Sequence, residues 1–305
     1  MEEPIFIVGL PRSGSTLWQN IFAQNPNIFV MGEMHFLTPW RKDIRYFIRN
    51  QVGDLSKKKD IEKMIELMFS REWILGITGD FWYYTIQKVN DPNLKKKLCH
   101  KIFLSDKSIE SIFKILVEEI TRFTRCSRCC LKFPVYVNHV PKLLQWYPRC
   151  KIIHIIRDPR AMAISRTNDP GGTRKKVQKY PRMSPIIRKA MILFVIVQYI
   201  WTSKLHCKYE KNDNYALFRY EDLLADPERV IKELCEFVEI DFVPKMLQPE
   251  EGQASSLTGR KQRGFDKKAA FRWLTVISPF EKRIISLLLK RSMKRFKYDS
   301  TNHSI

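Results

Sequence analysis

Gly9 and Gly14 enclose Leu10-Pro11-Arg12-Ser13, and Ser15-Thr16-Leu17-Trp18 follow. Ile5 to Val8, an apolar run of strand length, comes before them. Two glycines at this spacing between a strand and a helix make a phosphate-type loop, in which backbone N–H groups and the helix N-terminus converge on an anion. A loop that serves ATP would continue with Lys and then Ser or Thr, the lysine reaching the β and γ phosphates and the hydroxyl binding magnesium. Here Ser15 and Thr16 follow Gly14, and the cation lies inside the loop as Arg12. A guanidinium offers a planar fork of donors suited to a terminal phosphate or sulfate.

A second group repeats the theme. Lys151-Ile152-Ile153-His154-Ile155-Ile156 ends in Arg157-Asp158-Pro159-Arg160, with Ser165 a turn or two into the next segment. An ATPase would place a magnesium-binding carboxylate directly at such a strand end, whereas the first polar residue here is a guanidinium. Ligands of α/β sheets gather at the carboxyl ends of strands, so Arg157 and Ser165 are read as a clasp for a second anion, remote from the one in the loop.

The elements that must position these residues are legible as alternating runs. Ile5 to Val8, Ile28 to Val30, Cys129 to Phe133, Ile152 to Ile156 and Tyr215 to Phe218 are strand-length, with helical stretches between them. That alternation predicts an α/β fold with a parallel sheet flanked by helices. From about residue 36 to 125 the pattern is helical, with apolar positions at Ile61, Met64, Ile65 and Met68, then at Ile109, Ile112, Phe113, Leu116 and Val117. We read this as a helical insertion over the sheet's carboxyl edge within a single domain spanning residues 1–305. Thr167 to Thr173 with Arg174-Lys175-Lys176 reads as a polar, basic loop of the kind that becomes a lid. Asp226-Pro227-Glu228 reads as a helix start, with Val230, Leu234, Phe237 and Val238 as the buried face.

Composition bounds the partners. The chain has 305 residues, 44% of them hydrophobic, enough for a substantial core, and a formal charge of +22. A positive potential of that size favours anionic partners. No zinc-finger or RRM-type signature accompanies it, so nucleic acid is not expected, while a peripheral contact with anionic membrane stays open. The seven cysteines are odd in number and irregularly spaced, as for reduced thiols, and Cys126-x-x-Cys129 lacks the second pair of a structural zinc site. No metal is expected. Ala190 to Trp201 is too short an apolar run to span a bilayer and is read as a buried core helix. With no secretory signal before Ile5, the expected location is cytoplasmic.

Taken together, Pro11-Arg12-Ser13-Gly14-Ser15-Thr16-Leu17, Arg157-Asp158-Pro159-Arg160-Ala161 through Ser165, and Arg219-Tyr220-Glu221-Asp222-Leu223 with Asp226-Pro227 resemble the signature blocks of the PAPS-dependent sulfotransferases. The resemblance is closest to the branch with the protein-tyrosine sulfotransferases and many bacterial members, in which an arginine replaces the lysine of the cytosolic branch. It implies a P-loop-NTPase-like fold and the donor 3′-phosphoadenosine 5′-phosphosulfate (PAPS), with adenosine 3′,5′-bisphosphate as product and no metal. Carried over, Arg12, Ser13, Gly14, Ser15 and Thr16 would cradle the 5′-phosphosulfate, Arg157 and Ser165 would take the 3′-phosphate, and Tyr220 would contact the nucleotide. Arg263 and Gly264, in the basic stretch Arg260-Lys261-Gln262-Arg263-Gly264, fall where the family closes over its cofactor.

For catalysis the resemblance singles out Glu33, just after the second strand, as the base for the acceptor hydroxyl. His35 is the rival, since a histidine serves in the cytosolic branch and its ordinary pKa suits the task. Lys132 matches a strand-end lysine and would join Arg12 in stabilising the leaving oxygen. The acceptor stays open: a small molecule, a carbohydrate, a lipid or a peptide tyrosine. Trp73, Trp82, Tyr83 and Tyr84 either line an acceptor pocket or pack the core. The competing reading from another class of chemistry is a P-loop nucleotide kinase or NTPase, disfavoured by the missing lysine and by Arg157.

Overall fold

The computed structural model describes residues 2–34, 36–37, 43–70, 85–169, 173–249 and 264–298. All five strands expected from the sequence are present: β1 (Ile5–Gly9), β2 (Ile28–Met31), β3 (Arg128–Lys132), β4 (Lys151–Ile156) and β5 (Tyr215–Arg219). They form one parallel sheet in the order β2-β3-β1-β4-β5. β1 to β4 are buried along their whole length, which is why β1 and β2 read as apolar runs without alternation, and the Arg128, Lys132, Lys151 and His154 of β3 and β4 are buried with them. The chain divides into two compact units, one of Met1–Val8 with Ile21–Ile152 and the other of Gly9–Asn20 with Ile153–Ile305.

In the first unit the register pairs Met31 of β2 with Leu131 of β3. Lys132, the last residue of β3, and Glu33, two residues beyond β2, therefore leave the sheet side by side. Between β2 and β3 the described chain is helical, as expected of an insertion. Helical turns at Ile44–Phe47 and Ile48–Val52 lead to α2 (Lys58–Phe69), α3 (Pro92–Leu104) and α4 (Ile109–Phe123). Asp91 caps α3 through the N–H groups of Asn93 and Leu94, with Pro92 opening the helix, and Ser108 caps α4. The apolar face of α4 centres on Phe113, fully buried, whose ring meets those of Phe36 and Trp146 at 5.3 and 5.4 Å. The buried carboxylate of Glu119 is satisfied by Lys101 at 2.5 Å and Lys97 at 2.7 Å, so one lysine of the run Lys95 to Lys97 clasps α3 to α4 and does more than keep a face soluble. Trp73, Trp82, Tyr83 and Tyr84 lie outside the described residues.

In the second unit α1 (Ser15–Phe22) follows the glycine loop, and α6 (Pro159–Thr167) follows β4; α5 (Val140–Trp146) belongs to the first unit, between β3 and β4. Asp158 caps α6 by accepting from the Arg160 N–H, and Pro159 takes its first position. Two expectations are corrected here. Arg174 to Lys176 are not loop residues but belong to α7 (Thr173–Lys179), a run of good helix formers that no Gly or Pro interrupts. Nor is the apolar run at Ala190 to Trp201 a buried core helix. It lies within α8 (Ser184–Tyr209), 26 residues long, which buries Ile192, Val195, Ile196, Tyr199 and Leu205 but exposes Leu193, Val197, Ile200 and Trp201. An apolar run without alternation cannot say which of its faces will find a partner.

After β5 come α9 (Tyr220–Ala225) and α10 (Pro227–Val238). Asp226 caps α10 with Pro227 behind it, and Val230, Leu234 and Val238 are buried as the sequence predicts, whereas Phe237, expected with them, is half-buried at the edge of that face. A capping box of Ser278 and Glu281 starts α11 (Pro279–Leu288), and α12 (Lys290–Arg295) closes the described chain.

Candidate active site

The loop after β1 is shaped by its backbone. Gly9 and Gly14 have φ of 155° and 91°, and a Cβ on Gly9 would stand 2.5 Å from the carbonyl oxygen of Ile155. A Cβ on Gly14 would stand 2.4 Å from the ring of Tyr220, so this glycine lets the tyrosine lie against the loop. Arg12 is itself left-handed at φ 76°, a conformation that costs a residue with a Cβ on the order of 1 kcal/mol. The Ser13 N–H closes the turn on the Leu10 carbonyl oxygen at 3.1 Å, and the orphan donors of the α1 N-terminus follow it. Ser13 is fully buried, and its Oγ has no hydrogen-bond partner among the described residues.

Replacing Gly14 by Ala should therefore force Tyr220 off the loop and strain the backbone as well. We expect a loss of about 2 kcal/mol or more, read as a lowered melting temperature. An unchanged melting temperature would mean that the contact between Gly14 and Tyr220 is dispensable.

Around this loop the structure brings together the residues that the sequence singled out one by one. Nε of Arg12 donates to Ser165 Oγ at 3.1 Å, so the Arg12 side chain is held on α6. The Arg157 guanidinium stacks over the Tyr220 ring at 4.5 Å. It donates to the carbonyl oxygens of Ala269, at 3.0 Å, and of Arg12, at 3.4 Å, while its buried Nε has no hydrogen-bond partner among the described residues. Tyr220 is thus the spacer between Gly14 and Arg157, buried with Leu224, Ala269 and Ala270.

Charge is one-sided here. Burial lowers the Arg12 guanidinium from its ordinary value; Asp169 opposes that shift and Arg157 adds to it. Arg166 is lowered in the same way, by burial first, with Asp169 opposing and Arg12 adding. Arginines that depress one another mark a place where an added anion lowers the energy. Asp158, the carboxylate of this strand end, is committed elsewhere: it caps α6 and pairs with Arg160 at 2.6 Å, and its N–H donates to Glu221. Burial pushes the Glu221 carboxyl up, and it accepts from the Tyr298 hydroxyl at 2.7 Å. The acidic residues of both motifs therefore fix the strand ends in place.

In the other unit, Lys132 Nζ donates to Glu33 Oε1 at 2.5 Å. Lys132 is 3% exposed and Glu33 21%, so the lysine is a buried cation whose carboxylate partner reaches the surface. The segment after β2 is held by Thr85, which accepts from the Gly32 N–H at 3.2 Å, and by the Tyr136 hydroxyl, which donates to the Met34 carbonyl oxygen. A carboxylate at a strand end with an ammonium group against it can take a proton from a hydroxyl while a cation stays beside the reacting atoms.

His35 and Arg263 lie outside the described residues. Gly264 is left-handed at φ 57°, with open space where a Cβ would stand. Sequence reasoning missed Asp169 and Arg166, which flank Arg12 electrostatically, and the carbonyl of Ala269. Asp169 was in view as a loop residue, but a backbone acceptor more than a hundred residues from its donor leaves no trace in the sequence.

A parallel α/β sheet with a glycine loop after its first strand and a guanidinium at the end of its fourth defines a protein with a P-loop-like core. A model of the Sulfotransferase family matches residues 4–244. The chain belongs to the sulfotransferase family. Its fold is similar to that of the sulfotransferase domain of the olefin synthase of Synechococcus PCC 7002, with a TM-score of 0.60 at 18% identity, covering 98% of this chain and 96% of that one. It is also similar to the sulfotransferase domain from the curacin biosynthetic pathway, with a TM-score of 0.57 at 20% identity, covering 95% and 98%. An uncharacterized protein of Aquifex aeolicus (strain VF5) is 22% identical over 247 residues, 81% of this chain. The match spans 27% of that relative's length.

Proposed function

We propose that this protein transfers a sulfuryl group from PAPS to the hydroxyl of an acceptor. The observation that carries the reading is the convergence of Arg12, Arg157 and Ser165 on a strained glycine loop whose neighbouring carboxylate, Asp158, is already bound to Arg160. Such a site suits a ligand with two separated anionic groups, and the carboxylate beside Arg157, Asp158, is taken up by Arg160. Two buried polar atoms with no hydrogen-bond partner among the described residues, Ser13 Oγ and Arg157 Nε, fit the same ligand.

In this reading the N–H groups of Gly14, Ser15 and Thr16, with the Ser13 hydroxyl, hold the 5′-phosphosulfate, and Arg157 with Ser165 holds the 3′-phosphate. Arg12, which hydrogen-bonds Ser165, serves both ends of the nucleotide. When bound, PAPS supplies the sulfuryl group and departs as adenosine 3′,5′-bisphosphate. Glu33, with the Lys132 ammonium group against it, is the base for the acceptor's proton, and Arg12 is the cation for the charge that collects on the departing oxygen. Fixed cations suffice because the transferred group carries less charge than a γ-phosphate. The acceptor is a hydroxyl compound.

The test is conversion of PAPS to the bisphosphate, followed by chromatography, with a panel of phenols, sugars, sterols, lipids and tyrosine peptides. Release that rises with one class of acceptor, and a product heavier by one sulfuryl group, are expected. Release that no acceptor stimulates, with ATP consumed when magnesium is present, would favour a nucleotide kinase or NTPase.

A further inference from the structure

Helix α8 is long and apolar enough to cross a membrane, yet 22% of its most apolar stretch is buried. At 26 residues it extends about 39 Å, more than the ~30 Å of a bilayer's hydrocarbon core. A single crossing is ruled out by topology: α8 lies on the connection between β4 and β5, neighbours in one sheet, and a span would put them on opposite sides of the membrane. One face of the helix is committed to protein. Arg188 pairs with Glu281 of α11 at 2.5 Å, and the Tyr199 ring meets Phe296.

The other face is uncovered. Ile186, Leu193, Val197 and Trp201 are 63%, 57%, 57% and 41% exposed, and at spacings of seven, four and four they fall on one stripe. Both ends of that stripe are basic. Residues 173–209 contain nine Lys and Arg and no Asp or Glu. Arg174, Lys175, Lys176, Lys179, Arg182 and Lys189 are exposed toward its start, Lys204 and Lys208 toward its end. Among the described residues, Glu281 of α11 is engaged by Arg188, Asp158 and Glu221, which act on Tyr199, are engaged by Arg160 and Tyr298, and Glu210, the C-cap of α8 itself, by Arg295 at 3.0 Å.

We propose that this face of α8, with α7, is a docking surface for an anionic lipid bilayer, on which the helix lies in the plane of the headgroups. An apolar stripe with basic ends and no acidic residue is the pattern of an interfacial helix, whose binding adds buried apolar area to attraction for anionic lipid. A protein partner would need a surface both apolar and strongly acidic to match it. The surface is separate from the residues that hold the nucleotide.

The test is co-sedimentation of the full chain with vesicles of phosphatidylcholine alone and of equal parts phosphatidylcholine and phosphatidylglycerol. Strong binding to the second kind only, weakened by salt, is expected. Leu193→Glu with Val197→Glu should reduce it on the order of a hundredfold, and Lys204→Glu about fivefold or more. These side chains are exposed, so the melting temperatures should stay unchanged. The proposal is overturned if the chain ignores both vesicles, if the glutamate variants sediment like the parent, or if ultracentrifugation finds a dimer that Leu193→Glu dissolves.

Discussion

Arg157→Ala should bind adenosine 3′,5′-bisphosphate about a hundredfold or more weaker than the parent, while binding AMP as the parent does. The argument rests on how the guanidinium is held. Its planar face is fixed on Tyr220 at 4.5 Å, and its described hydrogen bonds go to the neutral carbonyls of Ala269 and Arg12. A charge oriented by neutral groups keeps most of its attraction for a ligand anion, and removing one partner of a half-buried charge pair costs a few kcal/mol. AMP lacks the 3′-phosphate, so the substitution should leave it unaffected. Arg157→Lys should be intermediate, near tenfold, because an ammonium group keeps the charge and loses the fork. Isothermal titration with both nucleotides decides the matter, and an equal loss for AMP would place Arg157 away from the 3′-phosphate. The carbonyl of Ala269, in a segment beyond the family match, enters the same argument, because it is one of two groups that hold the Arg157 fork.

The second large effect concerns Glu33. Glu33→Gln should lower kcat by roughly a hundredfold to ten-thousandfold, the usual worth of a general base, and leave the affinity for the bisphosphate within about twofold of the parent. The amide is nearly isosteric and can still accept from Lys132, which limits the structural cost of leaving a buried ammonium without its counter-charge. Glu33→Asp should restore part of the rate. Lys132→Ala should also lose turnover, and it should lose stability, because the lysine is buried in the end of β3. Retained activity in Glu33→Gln, with loss in His35→Asn, would move the base two residues along the chain.

Much of this was legible in the sequence, for physical reasons that differ from element to element. The strands could be read because a parallel sheet covered on both faces favours apolar residues without alternation, as in β1, β2 and the middle of β3, with His154 interrupting the run of β4. The loop could be read because few sequences other than Gly-x4-Gly allow positive φ at two points five residues apart, and both glycines use it. Arg157 and Ser165 could be read because Asp158-Pro159 marks a strand end passing into a helix.

What could not be read depends on neighbours distant in sequence. Glu33 and Lys132 are ninety-nine residues apart, and only the pairing of β2 with β3 brings them into contact. Tyr220 lies against Gly14 and Arg157, a position that depends on where α9 packs. The network of Asp158, Glu221 and Tyr298 joins three segments, and the last carries no motif. The outward face of α8 was hidden by its own composition: apolar residues surround the helix, so the run showed a hydrophobic helix and gave no sign of its free side.

The measurement that bears most directly on the central claim is a thermal-shift titration with adenosine 3′,5′-bisphosphate and, separately, with ATP, each with and without magnesium. At about 100 times its dissociation constant a ligand adds roughly 2.7 kcal/mol of stability. The sulfotransferase reading predicts that the bisphosphate gives this shift, that magnesium does not change it, and that Arg157→Ala abolishes it. Stabilisation by ATP with magnesium, and none by the bisphosphate, would contradict it.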